Sequence, residues 1–397
     1  MKNKRILVVT NLYLFPNREI KRGGIMIHNS LINMSQLISN IEVAFFVPMI
    51  WSFVKCFKFN WKQLSFESYK LDGITVYPIF YFPRLSKILP KLDIFLKMLV
   101  FDLFYKNRQI FPVDLIYGQT LYPDGILLPR ISKKFKVPYI VNMRGSDVHN
   151  FSANNQMIRY LTRKVLNDSL MVISVSERLK DVSVDVFGKN YVNQILYTSC
   201  KTEIFKCIKP ISPKLKEIIF VGALIEAKGI YELLEAFAIL VKSDKDYRLT
   251  LVGGGNKRIL DIIIKEKEIK KQVIFKGLIS NTEELVNELN RADILLFPSH
   301  NEGLPNAVVE GVACERVVIC TDVGGVREIT NQNLAFQVIP PRNVNAIIKA
   351  IKKLETVTVE KLRSQANSNR KKIIERFSPN SQLITFKKIL EKVGEKS

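Results

Sequence analysis

The chain has 397 residues, 47% of them hydrophobic and 24% charged, which excludes a disordered chain, a collagen and a coiled coil and is long enough for two or three domains. Its 60 Lys and Arg stand against 37 Asp and Glu, a net charge of +23, and residues 1–200 hold 27 of the basic and 13 of the acidic residues. Such an excess points to an anionic partner: nucleic acid, an acidic membrane surface or a phosphorylated substrate.

The N-terminal run MKNKRILVVT reads as a first strand, its apolar core being too short for a signal peptide. Strands follow at Val43–Val47, Ile74–Tyr77, Leu115–Tyr117, Tyr139–Val141 and Met171–Ser174, with an amphipathic helix marked by Ile27, Leu31, Met34 and Ile38. The second half repeats the alternation, with strands at Ile218–Val221, Leu249–Val252, Val273–Phe275, Ile294–Phe297 and Val317–Cys320. Ser280-x-x-Glu283 reads as a capping box that opens a helix, and a final helix is expected near Ser381–Val393. Alternation of this kind predicts βαβ units in two doubly wound parallel-sheet domains. The break is expected in Thr198–Leu215, which holds Pro210 and Pro213. The longest apolar stretch, Val43 to Val54, is broken by Pro48 and falls short of the roughly 20 residues that span a bilayer. Five scattered cysteines without CxxC spacing predict neither a disulfide framework nor a zinc site and suit a reducing cytosol. His28, His149 and His300 are too far apart in sequence to suggest a metal cage.

Four loops in the second half carry glycines or charged residues just past a strand. Ser299-His-Asn-Glu302-Gly303-Leu304-Pro305-Asn306-Ala-Val-Val-Glu310 follows Ile294–Phe297. Pro305 suits the first turn of a helix, and the helix start would bring free backbone N–H groups and a positive dipole end to a ligand. Glu302 and Glu310 would then reach one pocket beyond the strand's carboxyl end. The same pattern also fits an ordinary strand–loop–helix unit with two solvated glutamates. Phe220-Val-Gly222-Ala223-Leu-Ile-Glu-Ala-Lys228-Gly229 lets the backbone approach at Gly222 and offers a point charge at Lys228, although a surface lysine beside a cap has the same signature. Gly253-Gly254-Gly255 is either a ligand turn or relief of crowding. Asp322-Val-Gly324-Gly325 could form an anion nest. In the first half, Gly23-Gly24, Tyr122-Pro123-Asp124-Gly125 and Arg144-Gly145-Ser146-Asp147 occupy equivalent places, so both halves could turn functional edges toward a shared cleft. Asp244-Lys-Asp246 precedes a strand instead of following one and reads as a solvated turn, not a metal site.

Together FVGALIEAKG, PSHNEGLPNAVVEGVAC and VVICTDVGGVREI, supported by TLYPDG, VPYIVNMRGSDV and VISVSERL, make the chain resemble a family 4 (group 1) glycosyltransferase of the GT-B fold over nearly its whole length. The seven residues between Glu302 and Glu310 match that family's paired-glutamate motif. The resemblance implies two Rossmann-like domains. Residues 1–200 would bind the acceptor, residues 201–375 the nucleotide-sugar donor, and a helix in 376–397 would cross back to the first domain. It implies a retaining transfer in which Glu310 holds ribose hydroxyls and Glu302 faces the donor sugar. The N–H groups of Gly303 to Asn306, including Leu304 and the Pro305 turn, would hold sugar or phosphate. Lys228 would neutralise the departing diphosphate, with no dedicated metal or cofactor. Arg144 and Asp147 join the expected catalytic group, and Gly222, Gly253 and Gly24 the donor-binding one. Three positions depart from the family: Ala223 stands where Arg is common, Arg144 where His is common, and Tyr197–Phe205 where Pro-Asn-Gly-Val-Asp is usual.

Trp51, Phe53, Phe57, Phe59 and Trp61 interleave with Lys55, Lys58 and Lys62. Arg84, Lys87, Lys91 and Lys97 lie amid Ile88, Leu89, Leu92, Ile94, Phe95 and Leu96. Residues 51–110 are therefore expected to dock on an anionic membrane, or to be core aromatics with a solvated basic rim. The resulting expectation is a cytoplasmic, peripheral enzyme extending a lipid-linked glycan in surface polysaccharide or glycolipid synthesis. The alternatives are a soluble transferase or phosphorylase on a small acceptor, and a basic nucleic-acid-binding protein.

Overall fold

The computed structural model describes residues 4–14, 22–48, 68–81, 90–107, 113–152, 155–188 and 191–396. The chain forms two compact units, one of Met1–Val175, Leu179–Leu196 and Leu383–Ser397 and the other of Ser176–Arg178 and Tyr197–Gln382. The second unit thus starts at Tyr197, upstream of Pro210 and Pro213, and takes in three residues from earlier in the chain.

The first unit runs β1 (Arg5–Thr10), α1 (Arg22–Met34), β2 (Asn40–Pro48), β3 (Tyr69–Leu71), β4 (Ile74–Tyr81), α2 (Pro90–Asn107), β5 (Leu115–Gly118), α3 (Leu128–Phe135), β6 (Tyr139–Met143), α4 (Gln156–Asp168), β7 (Met171–Ser174), α5 (Glu177–Phe187) and β8 (Asn193–Ile195). Its sheet has the order β3-β4-β2-β1-β5-β6-β7-β8. Every pairing is parallel except β3 with β4. The short strands β3 and β8 carry no apolar run, which is why period-based reading passes over them.

Alternation along each strand sends side chains to opposite faces. Ile6, Val8, Val43, Phe45, Tyr117 and Ile140 join α1 residues Ile27, Leu31 and Met34 in one cluster, which also holds Phe386, Ile389, Leu390 and Val393 of the last helix. The opposite face is covered by α2, α3 and α4. Phe46 of β2 stacks on Phe101 of α2 at 6.3 Å, Gly118 of β5 leaves room for Leu128 of α3, and Tyr139 of β6 donates its hydroxyl to the Val165 carbonyl of α4.

The second unit runs β9 (Glu217–Val221), α6 (Ile230–Ser243), β10 (Arg248–Val252), α7 (Lys257–Glu266), β11 (Val273–Gly277), α8 (Thr282–Arg291), β12 (Ile294–Phe297), α9 (Asn306–Ala313), β13 (Val317–Thr321), α10 (Val326–Ile329), β14 (Phe336–Ile339), α11 (Val344–Leu354) and α12 (Val359–Phe377). The last helix, α13 (Pro379–Lys396), begins in this unit and ends in the other. The six-stranded sheet is parallel throughout, in the order β11-β10-β9-β12-β13-β14. Its core strands are continuous apolar runs, as expected where both faces are covered. Asp244 ends α6 and pairs with Lys216 at 3.1 Å, so Asp244-Lys-Asp246 is a turn.

Two helix starts differ from the sequence reading. Asn281, not Ser280, caps α8, because its carboxamide oxygen reaches the N–H groups of both Glu283 and Glu284. Pro305 is the capping residue of α9 in extended conformation, one position ahead of the first turn.

Both sheets reverse winding direction once, between β1 and β5 and between β9 and β12. Ligands of doubly wound sheets bind beyond the carboxyl ends of the strands at such points.

Candidate functional site

In the second unit the switch point separates the loop after β9 from the loop after β12, which carry Lys228 and Glu302. Glu226–Lys228 forms one 3-10 turn, ended by Gly229 at φ 69°. A Cβ there would lie 2.0 Å from the Pro298 carbonyl oxygen, so only glycine lets the two loops meet. His300 N–H then donates to the Ala227 carbonyl at 3.0 Å. His300 Nε2 meets Glu232 Oε1 of α6 at 2.8 Å. With the loops so braced, Lys228 Nζ lies 2.5 Å from Glu302 Oε1. The lysine side chain is 26% exposed and the glutamate 12%, so the pair sits at the floor of an open edge.

The neighbouring loops close around this pair. Gly253, at φ 148°, brings its backbone against the Gly222 carbonyl oxygen, where a Cβ would stand 1.7 Å away. Gly222 N–H donates to Val252 O and Leu224 N–H to Gly254 O. Gly222 and Gly253 thus let adjacent loops pack closely. Gly325 N–H donates to the Gly303 carbonyl, which also accepts from Ser176 Oγ. Leu304 and Pro305 are buried. Among the described residues no acceptor faces the N–H groups of Leu304, Asn306 and Ala307. These are the donors a helix start leaves to a ligand, and Pro305 contributes none. Glu310 is 4% exposed on the inner side of α9. Burial, and then the Glu310 charge, push the Cys200 thiol well up. Burial lifts Cys314 to about 12 despite Arg316. Neither cysteine is a nucleophile at neutral pH. Ala223 is exposed at the rim, leaving Lys228 without a neighbouring cation on its own loop.

The edge of the first unit is built differently. Gly24 lies in the first turn of α1, its Cα facing the backbone of Tyr13 closely enough that a Cβ would sit 3.1 Å from it. Asp147 is 1% exposed and accepts the backbone N–H groups of Leu121, Arg144, Gly145 and Val148. That carboxylate organises two loops, and its own lone pairs are committed to them. Arg144 turns its guanidinium back on Gln119, with Nε 2.9 Å from the carbonyl and a terminal nitrogen 2.5 Å from Oε1. Asp124, in the carboxyl-edge loop Tyr122-Pro123-Asp124-Gly125, ties the loop after β1 to the loop after β5. It accepts Asn11 N–H at 2.8 Å and the Thr120 hydroxyl at 3.1 Å. Burial pushes its carboxyl up to about 6 against the lowering effect of those bonds and of Lys97. Its signal was present in Tyr122-Pro123-Asp124-Gly125, but nothing in the sequence marks a carboxyl as buried. His300 and Glu232 were likewise overlooked, since a brace is visible only once the loops are adjacent.

Of the basic and aromatic residues expected at a membrane, Trp51, Phe53, Lys55, Phe57, Lys58, Phe59, Trp61, Lys62, Arg84, Lys87, Ile88 and Leu89 lie outside the described residues. Lys97 points inward: it is 2% exposed and its ammonium stands 4.6 Å from the Tyr81 ring centre. No helix among the described residues is long and apolar enough to cross a membrane.

Comparison with known proteins bears on the second unit first. Residues 201–373 match the family described as "Glycosyl transferases group 1". The putative teichuronic acid biosynthesis glycosyltransferase TuaC of Bacillus subtilis is 26% identical over 63% of this chain and 63% of its own length. The N-acetylgalactosamine-N,N'-diacetylbacillosaminyl-diphospho-undecaprenol 4-alpha-N-acetylgalactosaminyltransferase of Campylobacter jejuni is 29% identical over 40% of this chain and 43% of its own. Among solved structures, HepE of Anabaena in complex with UDP-glucose superimposes with a TM-score of 0.73 at 16% identity, covering 98% of this chain and 99% of the other. Residues 201–373 are thus similar to the group 1 glycosyl transferases, and the two-sheet fold is GT-B.

Proposed function

We propose that the protein is a retaining glycosyltransferase that moves a sugar from a nucleotide-sugar donor to a lipid-linked glycan during surface polysaccharide synthesis, at the inner face of the membrane. The observation that carries this reading is the pairing of Lys228 with Glu302 at the switch point of the second unit, with Glu310 on the helix that follows. The N–H groups at the start of α9 suit the sugar hydroxyls or phosphate of a donor. Glu310 binds ribose hydroxyls, as the family resemblance implies.

When the bond from the anomeric carbon to the diphosphate breaks, negative charge grows on the leaving oxygen and positive character on the sugar. Lys228 answers the first and Glu302 the second. Lys228 and Glu302 pair with each other, so a donor that inserts its diphosphate takes over the lysine. Lys228 carries this task without help from position 223 and without a resident metal. Arg144, braced by Gln119, is suited to hold phosphate and unsuited to relay a proton. Asp147 acts by holding the Arg144 loop in shape.

Support for the acceptor class comes from relatives whose names place them in teichuronic acid synthesis and on a diphospho-undecaprenol substrate. HepE, with UDP-glucose bound, supports a uridine donor. The test is a thermal-shift panel of nucleotide sugars, followed by nuclear magnetic resonance of the product's anomeric centre. A stabilising donor and a product with the donor's anomeric configuration are expected. An inverted product overturns retention, and a panel without any stabilising nucleotide overturns the transferase reading.

A further inference from the structure

The three residues that the second unit takes from earlier in the chain, Ser176–Arg178, close on the loop that carries Glu302. Ser176 is buried, and its Oγ donates to the Gly303 carbonyl at 3.0 Å. Gly325 N–H donates to the same carbonyl at 2.8 Å. A carbonyl oxygen has two lone pairs, so both of these are committed. The packing is tight. A Cβ on Gly324, at φ 52°, would stand 2.5 Å from the Glu302 carbonyl oxygen, and one on Gly325 would stand 2.6 Å from Ser176 Cβ. Two consecutive glycines thus let the turn after β13 pack against both Ser176 and the Glu302 loop.

Glu328 of α10 ties the two donors together. Its backbone N–H donates to Gly325 O at 3.0 Å. Its carboxylate accepts from the two residues that follow Ser176: Glu177 N–H at 2.8 Å and Arg178 N–H at 2.9 Å. It also accepts the Tyr197 hydroxyl at 3.0 Å, and the Glu328 carbonyl accepts from Arg376 at 2.6 Å. The first N–H groups of a helix have no partner within it, so Glu328 caps α5 from outside and holds Ser176 in register with Gly325.

Fixing the Gly303 carbonyl also fixes its peptide partner. The Gly303–Leu304 peptide is trans, so its C=O and N–H point in opposite directions. With the carbonyl held by two donors, the Leu304 N–H is aimed away from them. It is one of the N–H groups that no acceptor faces among the described residues. Without those donors the peptide plane turns more freely, because a glycine precedes it.

We propose that Ser176 and Glu328 are positioning residues of the donor site, which lock the Gly303–Leu304 peptide so that the Leu304 N–H is presented to an oxygen of the donor's sugar or diphosphate. They act through that peptide and do not themselves meet the ligand. The inference rests on the nucleotide-sugar reading above and brings a segment from the first half of the sequence into the site of the second.

The experiment uses the full chain with nitrogen-15 leucine, and UDP and UDP-glucose as probes. Calorimetry gives affinities, and the Leu304 amide resonance, assigned by its loss in Leu304→Met, should move on saturation with UDP-glucose. Ser176→Ala removes one donor to the carbonyl. Glu328→Gln puts an amide NH2 against a backbone N–H of α5. Each variant should weaken UDP-glucose binding by roughly threefold to tenfold, the worth of one hydrogen bond, and shrink the Leu304 shift in the saturated complex. A role in folding alone lowers the melting temperature and leaves both readouts of the folded complex as they are. An equal loss with UDP assigns the Leu304 N–H to the diphosphate, and a loss confined to UDP-glucose assigns it to the sugar. Variants with unchanged affinity and an unchanged Leu304 shift overturn the proposal. So does, with no variant needed, a UDP-glucose complex of the unaltered protein in which the Leu304 amide does not move. Failure of the unaltered protein to bind either probe overturns the uridine-donor reading and this proposal with it.

Discussion

Each unit has a switch point, and the two spend their charged groups in opposite ways. In the second unit Lys228 and Glu302 sit partly exposed and bonded to each other, so a ligand can exchange with either. In the first unit Asp124 and Asp147 are buried and bonded to backbone N–H groups, and Arg144 is folded onto Gln119. The same residue types therefore stand in a partly exposed ion pair at one edge and hold loops together at the other. A charged residue after a strand is a functional candidate only if its lone pairs or protons are not already taken by the backbone.

The sharpest break of that contrast is at Lys228. Lys228→Ala is expected to cut turnover by about a hundredfold to a thousandfold with little change in melting temperature, because it removes the charge partner of the leaving group. Steady-state kinetics on the stabilising donor decides it, and near-normal turnover would reduce Lys228 to a surface residue.

Asp147→Ala should do the reverse. It leaves buried N–H groups of Leu121, Gly145 and Val148 without their acceptor, a loss of about 3 kcal/mol in unfolding free energy. Denaturant unfolding reads this directly. A variant of unchanged stability but much lower turnover would show that the carboxylate acts on substrate after all.

These two edges also explain what the sequence discloses. The alternation of apolar runs with amphipathic segments locates the central strands of both sheets, because buried parallel strands must be continuous apolar runs. It misses Tyr69–Leu71 and Asn193–Ile195, edge strands whose side chains are half exposed and need no such pattern. At the candidate site, the residues proposed to meet a ligand stand out as motifs: Lys228 and Glu302 on loops and Glu310 inside α9. Residues that act by holding one loop against another do not. Glu232 is one turn into an ordinary amphipathic helix, and its contact with His300 depends on a sheet order that places β9 beside β12. Lys97 shows the converse: a lysine among apolar residues fits a membrane face or a solvated rim in sequence, and its helix turns it inward toward Tyr81.

The two glutamates of the second unit separate binding from chemistry. Glu310→Gln weakens a charge-assisted hydrogen bond made in ground and transition state alike, about 1.5–3 kcal/mol, so it should raise the donor's apparent binding constant and weaken the free nucleoside diphosphate by roughly tenfold to a hundredfold. Glu302→Gln should lower turnover instead. Because Glu302 pairs with Lys228, neutralising it frees the lysine, and nucleoside diphosphate affinity should hold or rise. Calorimetry beside steady-state kinetics distinguishes them. Loss of nucleotide affinity in Glu302→Gln with retention in Glu310→Gln reverses the two roles.

The smallest effect belongs to Asp124 and is read through pH. Burial raises its carboxyl to about 6 in the folded protein, against a value near 3.9 in an unfolded chain. The folded state therefore holds this proton more tightly, and stability is greatest below the unfolded value and declines as pH climbs through about 6. Asp147, raised in the same direction by burial, adds to the decline. At 1.36 kcal/mol per pKa unit the Asp124 share is at most about 3 kcal/mol. Asp124→Asn keeps an oxygen for Asn11 N–H and Thr120 and carries no charge, so it should flatten the slope between about pH 4 and 6 and leave the variant more stable than the wild type near pH 8 by about 1 kcal/mol. Urea unfolding across that range measures both curves. If the wild type instead gains stability as pH rises from 4 to 6 and Asp124→Asn removes that gain, the carboxylate is stabilised by its hydrogen bonds more than it is penalised by burial, and the first unit's edge is electrostatically closer to the second's than their geometry implies.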